Sequence, residues 1–172
     1  MVLSIDIETY SDIDIRTSGV YKYVESEGFE IMLFAYAFDN GPVQIVDLMN
    51  GEKLPCNVFY ALKDPNIVKT AFNANFERNA IKNQYPVSCL PEQWECTMVK
   101  ALTMGLPGSL DMVGKAMHLE EDKQKMKEGK ALIQYFCKPC KSTKANGMRT
   151  RNLPEHDVEK WETFKEYCKR SE

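Results

Sequence analysis

No apolar run in this sequence is long enough to cross a bilayer. The longest, Ile31-Met-Leu-Phe-Ala-Tyr-Ala-Phe38, has eight residues, against the roughly 20 a membrane helix needs. The N-terminus also lacks a basic stretch followed by an apolar one and a small-residue cleavage site, so a cytoplasmic location with no membrane partner is expected. Internal repeats and low-complexity tracts are missing. Histidine is scarce, and neither His118 nor His156 has a partner at zinc-finger spacing. The six cysteines (56, 89, 96, 137, 140 and 168) show no disulfide framework, which suits a reducing compartment. Cys137-Lys-Pro-Cys140 has the spacing of half a zinc site or a redox pair. No second such pair follows, and no strand leads into a helix that it opens, so plain thiols are the favoured reading.

What the chain does have is enough for one core. It has 172 residues, 44% of them apolar, within the usual range for a single domain spanning 1–172. A net charge of −3 hides an asymmetry. Between Lys123 and Arg151 nine basic residues (Lys123, Lys125, Lys127, Lys130, Lys138, Lys141, Lys144, Arg149 and Arg151) face one acid, Glu128, a local balance of +8. Such a segment is either a solvated face or a polyanion-facing arm. Clustering of this kind in an otherwise acidic chain favours the arm, which would track phosphates rather than read bases.

The most informative residues lie near the start. In Met1-Val-Leu-Ser-Ile-Asp6-Ile-Glu8-Thr-Tyr10, the aliphatic and β-branched content reads as a buried strand. Residues two apart on a strand share a face, so Asp6 and Glu8 sit side by side. Two acids so placed repel each other and resist desolvation unless a cation lies between them, although an exposed edge strand would simply solvate them. A third acid comes later. Ile67–Asn73 reads as another short strand and Ala74–Ile81 as the helix after it, with Asn73 as N-cap and Glu77 in the first turns. Glu77 is thereby delivered to the carboxyl edge of a sheet, where open α/β folds keep their sites. Taken alone it would complement the helix dipole.

These residues carry a resemblance. Asp6-Ile-Glu8 resembles the first motif of the DEDD superfamily of 3′–5′ exonucleases. Asn73-Ala-Asn-Phe76-Glu77 resembles the second, with Glu where Asp is usual. Trp161-Glu-Thr-Phe164-Lys-Glu-Tyr167-Cys-Lys-Arg-Ser171 resembles the third motif of the tyrosine subclass, Tyr-x-x-x-Asp. Across its whole length the chain most resembles the N-terminal proofreading-type domain of phage and prophage family A DNA polymerases. One departure stands out: Ser171 occupies the place of the fourth carboxylate. Glu172 is about 100° further round a helix, and Asp157 lies roughly 20 Å upstream along one. The ending Arg170-Ser171-Glu172 has the look of a copy truncated at its C-terminus.

The resemblance implies a ribonuclease H-like fold and two-metal phosphodiester hydrolysis, with two Mg²⁺ or Mn²⁺ ions roughly 3.5–4 Å apart. It implies that Asp6 bridges both ions, that Glu8 holds one, and that Glu77 holds the other through water. Tyr167 would orient the attacking water. Asn73 and Phe76 are candidate substrate contacts, Phe76 with a core position as its alternative. Lys125, Lys127, Lys130, Arg149 and Arg151 would line the path of the substrate, single-stranded DNA or a frayed DNA 3′ end. A polymerase domain or subunit is a possible partner, since none fits in this chain. With Ser171 at the missing ligand position, a catalytically impaired single-strand binding domain is the alternative. An RNA-directed exonuclease of the same fold is a weaker one.

The expected architecture is α/β, a mixed sheet of three antiparallel strands followed by parallel additions, flanked by helices. Strands are predicted at 2–8, Glu30–Asp39, Val43–Leu48, Ile67–Asn73 and, as a short fifth, about Cys89–Glu95, with a loop and room for a short helix from Tyr10 to Gly28. Asn40-Gly41-Pro42 marks a hairpin turn. Helices are predicted at 57–62 and at about 75–84, 92–104, 109–118, 121–136 and 157–170.

Overall fold

Strand-forming residues gather into a five-stranded sheet in the computed structural model, which describes residues 1–119 and 128–171. Strands β1 (Val2–Tyr10), β2 (Glu30–Phe38), β3 (Gln44–Asp47), β4 (Val68–Ala71) and β5 (Trp94–Cys96) are ordered β3-β2-β1-β4-β5. β2 runs antiparallel to both β1 and β3, and β4 runs parallel to β1 and β5. The register pairs Asp6 with Ala35 and Glu8 with Leu33, and a bulge follows between Glu8 and Thr9. The mixed α/β sheet expected from the sequence is therefore present.

Seven helices among the described residues cover the sheet: α1 (Ile15–Val24), α2 (Cys56–Lys63), α3 (Ala74–Gln84), α4 (Thr97–Thr103), α5 (Leu110–Ala116), α6 (Gly129–Phe136) and α7 (Val158–Ser171). Alternation along β1 and β2 splits the core in two. Leu3, Ile5 and Ile7 join Phe34 and Tyr36 in one cluster with Tyr23, Val58, Leu62 and Ile81 from α1–α3. Tyr10, Met32 and Ala35 belong to the other, with Leu132, Phe136, Trp161, Phe164 and Tyr167 from α6 and α7. Asp6 and Glu8 alternate with the first set, so they project under α6 and α7.

That second cluster is an aromatic ladder. Phe136 stacks on Phe164 at 5.4 Å, Phe164 stacks on Tyr167 at 6.0 Å, and Trp161 meets Phe136 edge-on at 4.9 Å. Trp161 Nε1 donates to Asp47 Oδ2 at 2.7 Å, which satisfies two buried polar groups at once. Each such side chain, fully buried, contributes roughly 1.5–3 kcal/mol.

Several boundaries differ from expectation. β1 runs two residues further, to Tyr10, because the bulge lets it keep pairing with β2. The Tyr10–Gly28 stretch holds a ten-residue helix, α1, started by Asp14, whose side chain accepts from Arg16 N, and kinked at Gly19, where φ is 76°. The fifth strand begins only at Trp94, after a 3-10 turn at Pro91–Gln93, and α4 starts directly behind it. The helix expected over 121–136 falls partly outside the described residues, and its described part is α6. No described helix is long and apolar enough to cross a membrane.

Candidate active site

Asp6 and Glu8 stand on the central strand with their carboxylates facing α7. Cys168, the residue after Tyr167, donates its thiol to Asp6 Oδ2 at 3.8 Å. Cys137, at the C-terminus of α6, does the same to Glu8 Oε2, also at 3.8 Å. One ligand atom each from Asp6, Glu8 and Cys168 lie within 4.8 Å of one another. Both thiols are buried, and burial raises each well above its ordinary pKa, so they act as neutral donors.

Glu77 approaches from α3. It is 4% exposed, and its Oε2 is buried with no hydrogen-bond partner. Burial first, and the charge of Asp6 second, hold its carboxyl well above the usual carboxylate range. An acid pushed up by burial and by another acid is one that a cation would relieve. A donor set of three carboxylates from two elements, β1 and α3, with one oxygen unsatisfied, fits a hard divalent ion.

Asn73 occupies the N-cap position of α3 but not in the expected way. Its backbone is left-handed (φ 71°, ψ 49°), and its side chain makes no capping bond. Asparagine tolerates this conformation, which turns the chain from β4 into α3. The amide is thereby left to border a cavity of about 680 Å³, also lined by Asp6, Met98, Leu110, Lys115, Lys130 and Tyr167.

Tyr167 borders that cavity yet is 0% exposed. Gly129 explains its placement: a Cβ there would lie 2.0 Å from Tyr167 Cε2. The first residue of α6 must therefore be glycine for the ring to sit between that helix and Phe164.

Comparison with known proteins adds to this geometry. No family model matches the chain. A DNA polymerase of Bacillus phage SP02 is 59% identical over 166 residues, which is 96% of this chain but 25% of the polymerase. Among solved structures, Trypanosoma brucei RNase D in complex with GMP superposes with a TM-score of 0.55 at 19% identity, covering 97% of this chain and 48% of that one. Brucella melitensis NrnC with bound Mg²⁺ gives a TM-score of 0.50 at 16% identity, over 68% of this chain and 53% of that one. By sequence the chain is a relative of a phage DNA polymerase, and its fold is shared by RNase D and NrnC. Its match spans about a quarter of the polymerase's length, the stretch in which the two sequences align.

Within this fold the other expected site residues separate. Lys130 borders the cavity beside Gly129. Lys125 and Lys127 lie outside the described residues. Arg151 is diverted from the cavity: its Nη2 donates to Glu30 Oε2 at 2.7 Å, and its guanidinium covers the Tyr10 ring at 3.9 Å. Arg149 serves its own loop, with Nε donating to Asn152 Oδ1 at 2.8 Å. Phe76 packs against Tyr23, ring centres 6.0 Å apart, in the cluster beneath α1–α3 rather than toward the cavity. Ser171 is the last residue of α7, one turn beyond Tyr167, which places the two positions on the same helix face. Cys137 and Cys140 diverge, one toward Glu8 and the other toward the Arg149 carbonyl, and both are free thiols.

Sequence reasoning missed Gly129, Lys115, Cys137 and Cys168 as site residues. Gly129 had one available signal, a glycine at the start of an apolar helical stretch. The thiols had none, since Cys168 meets Asp6 across 162 residues of chain.

Proposed function

We propose that this chain is a metal-dependent 3′–5′ exonuclease domain that removes nucleotides from single-stranded DNA or frayed DNA 3′ ends. The convergence of Asp6, which borders the cavity, with Glu8 and the buried, partly unsatisfied Glu77 behind it carries the reading. Mg²⁺ or Mn²⁺, as a pair of ions, would supply charge neutralisation at the scissile phosphate and a water acidic enough to lose its proton near neutral pH. The phage polymerase relative favours DNA over RNA as substrate, a polymerase domain as partner, and the cytoplasm of a host cell as location.

The chain's own groups have distinct tasks. Asp6 and Glu8, fixed by the central strand, and Glu77, fixed by α3, provide the anionic cradle. The Tyr167 hydroxyl orients the attacking water inside the cavity. Asn73 and Lys130 meet the strand end, Lys130 as a phosphate contact. The apolar side chains of Met98 and Leu110 offer a sequence-tolerant wall for a base.

Ser171 favours a second reading, a single-strand binding domain with impaired catalysis. With a neutral hydroxyl where the resemblance expects a fourth carboxylate, the cradle is one carboxylate short. Cleavage of 5′-labelled single-stranded DNA with Mn²⁺ or Mg²⁺ separates the two. A 3′-to-5′ ladder that disappears in Asp6→Ala supports the exonuclease. A ladder seen only in Ser171→Asp supports the impaired domain. Silence from both folded proteins rejects the hydrolytic reading.

A further inference from the structure

Hydrolysis as proposed leaves the two thiols beside the carboxylate pair without a task, and Cys168 is the one whose sulfur groups with both acids. Cys168 is 0% exposed, and its Sγ lies 3.8 Å from Asp6 Oδ2. A single ligand atom from each of Asp6, Glu8 and Cys168 falls within 4.8 Å of the other two. Hard ions such as Mg²⁺ select oxygen and leave a thiol alone, whereas Zn²⁺ takes sulfur and carboxylate oxygen together. Open zinc sites commonly use three protein ligands and a water in tetrahedral array.

We propose that Asp6, Glu8 and Cys168 form a three-ligand site for a single thiophilic divalent cation of the Zn²⁺ type. Zinc–sulfur and zinc–oxygen bonds of about 2.3 and 2.0–2.2 Å set tetrahedral ligand separations of roughly 3.4–3.6 Å. The three atoms therefore need to close by little more than an ångström, within reach of side-chain rotation. On binding, a sulfur–metal bond forms and the thiol proton passes to buffer. A second observation points to a cation at this place: the buried Glu77 Oε2, beside the pair, has no hydrogen-bond partner.

The binding stands on geometry alone. Its consequence rests on the proposed hydrolytic function. A single soft ion held by Asp6 and Glu8 would occupy the carboxylates that hard ions need, making Zn²⁺ a competitive inhibitor of metal-dependent cleavage.

Co²⁺ is the probe, added to the metal-free full chain and followed by its thiolate-to-metal charge-transfer absorption, with Zn²⁺ then titrated in to displace it. The expected result is a band at one equivalent, kept in Cys137→Ser and lost in Cys168→Ser. Zn²⁺ affinity should fall about a hundredfold or more in Cys168→Ser, since outer-shell partners alone are worth roughly 10–100-fold. Mg²⁺ affinity should change by less than a factor of about ten, because magnesium takes oxygen ligands. No band in the wild-type chain overturns the site, and so does a band that survives in folded Cys168→Ser or vanishes in Cys137→Ser. None of these readouts depends on DNA cleavage, so failure of the metal site and failure of the exonuclease reading are separable.

Discussion

The two walls around the carboxylate pair are built to opposite specifications. Behind it, α6 and α7 press an aromatic ladder and two thiols onto the sheet, and Trp161, Phe164, Tyr167 and Cys168 have essentially no exposed surface. In front, α4 and α5 hold Val99, Leu102, Met104 and Met112 more than half exposed. The back wall fixes the acids at set positions. The front wall is apolar and adaptable, and brings Met98 and Leu110 to the cavity.

Four predictions probe that contrast, the largest effect first. Asp6→Ala should lower metal-dependent cleavage by about a thousandfold or more, because grouped ligands act as a unit, while leaving the melting temperature of the metal-free protein unchanged or higher. Trp161→Ala in the back wall should cost about 3–5 kcal/mol in denaturant unfolding, with Asp47 losing its buried donor. Leu102→Ala in the front wall should stay within about 0.5 kcal/mol. Equal losses from the two would erase the distinction. Gly129→Ala should cost about 1–3 kcal/mol by overpacking and should lower cleavage by displacing the Tyr167 ring. A variant with wild-type stability would show that α6 yields freely. Lys130→Ala is the mildest: DNA affinity should weaken across all sequences, and the slope of log affinity against log salt should fall by about one.

The sequence made much of the back wall and its acids legible. Period-two patterning put Asp6 and Glu8 on one strand face, and motif spacing brought in Glu77 and Tyr167, because these signals are local. Less was legible where chain segments meet at a distance. Arg151 counted as a phosphate ligand until the fold supplied Glu30 and the Tyr10 ring. Phe76 packs against Tyr23 rather than lining the cavity, a matter of the rotation of α3 against the sheet. Asn73 was placed correctly as the N-cap, but its left-handed backbone frees the amide that capping chemistry would have engaged. Gly129 acquires its meaning from a ring 38 positions later in the chain.

The fold retains a costly buried acid, Glu77, whose cost a bound cation would offset. Glu77 has its folded pKa raised above an ordinary value of about 4.5. The folded metal-free protein therefore holds a proton that the unfolded chain releases, and stability falls as pH rises from that value toward the folded pKa. The direct measurement is thermal unfolding of wild type and Glu77→Gln at acid and neutral pH, with and without Mn²⁺. Glu77→Gln should melt higher than wild type at pH 7 without metal, and the gain should vanish below about pH 4. Mn²⁺ should raise the wild-type melting temperature and raise that of Glu77→Gln much less. A metal-free Glu77→Gln protein that melts lower at neutral pH, or an equal response to Mn²⁺, would make Glu77 a structural acid rather than a cation ligand.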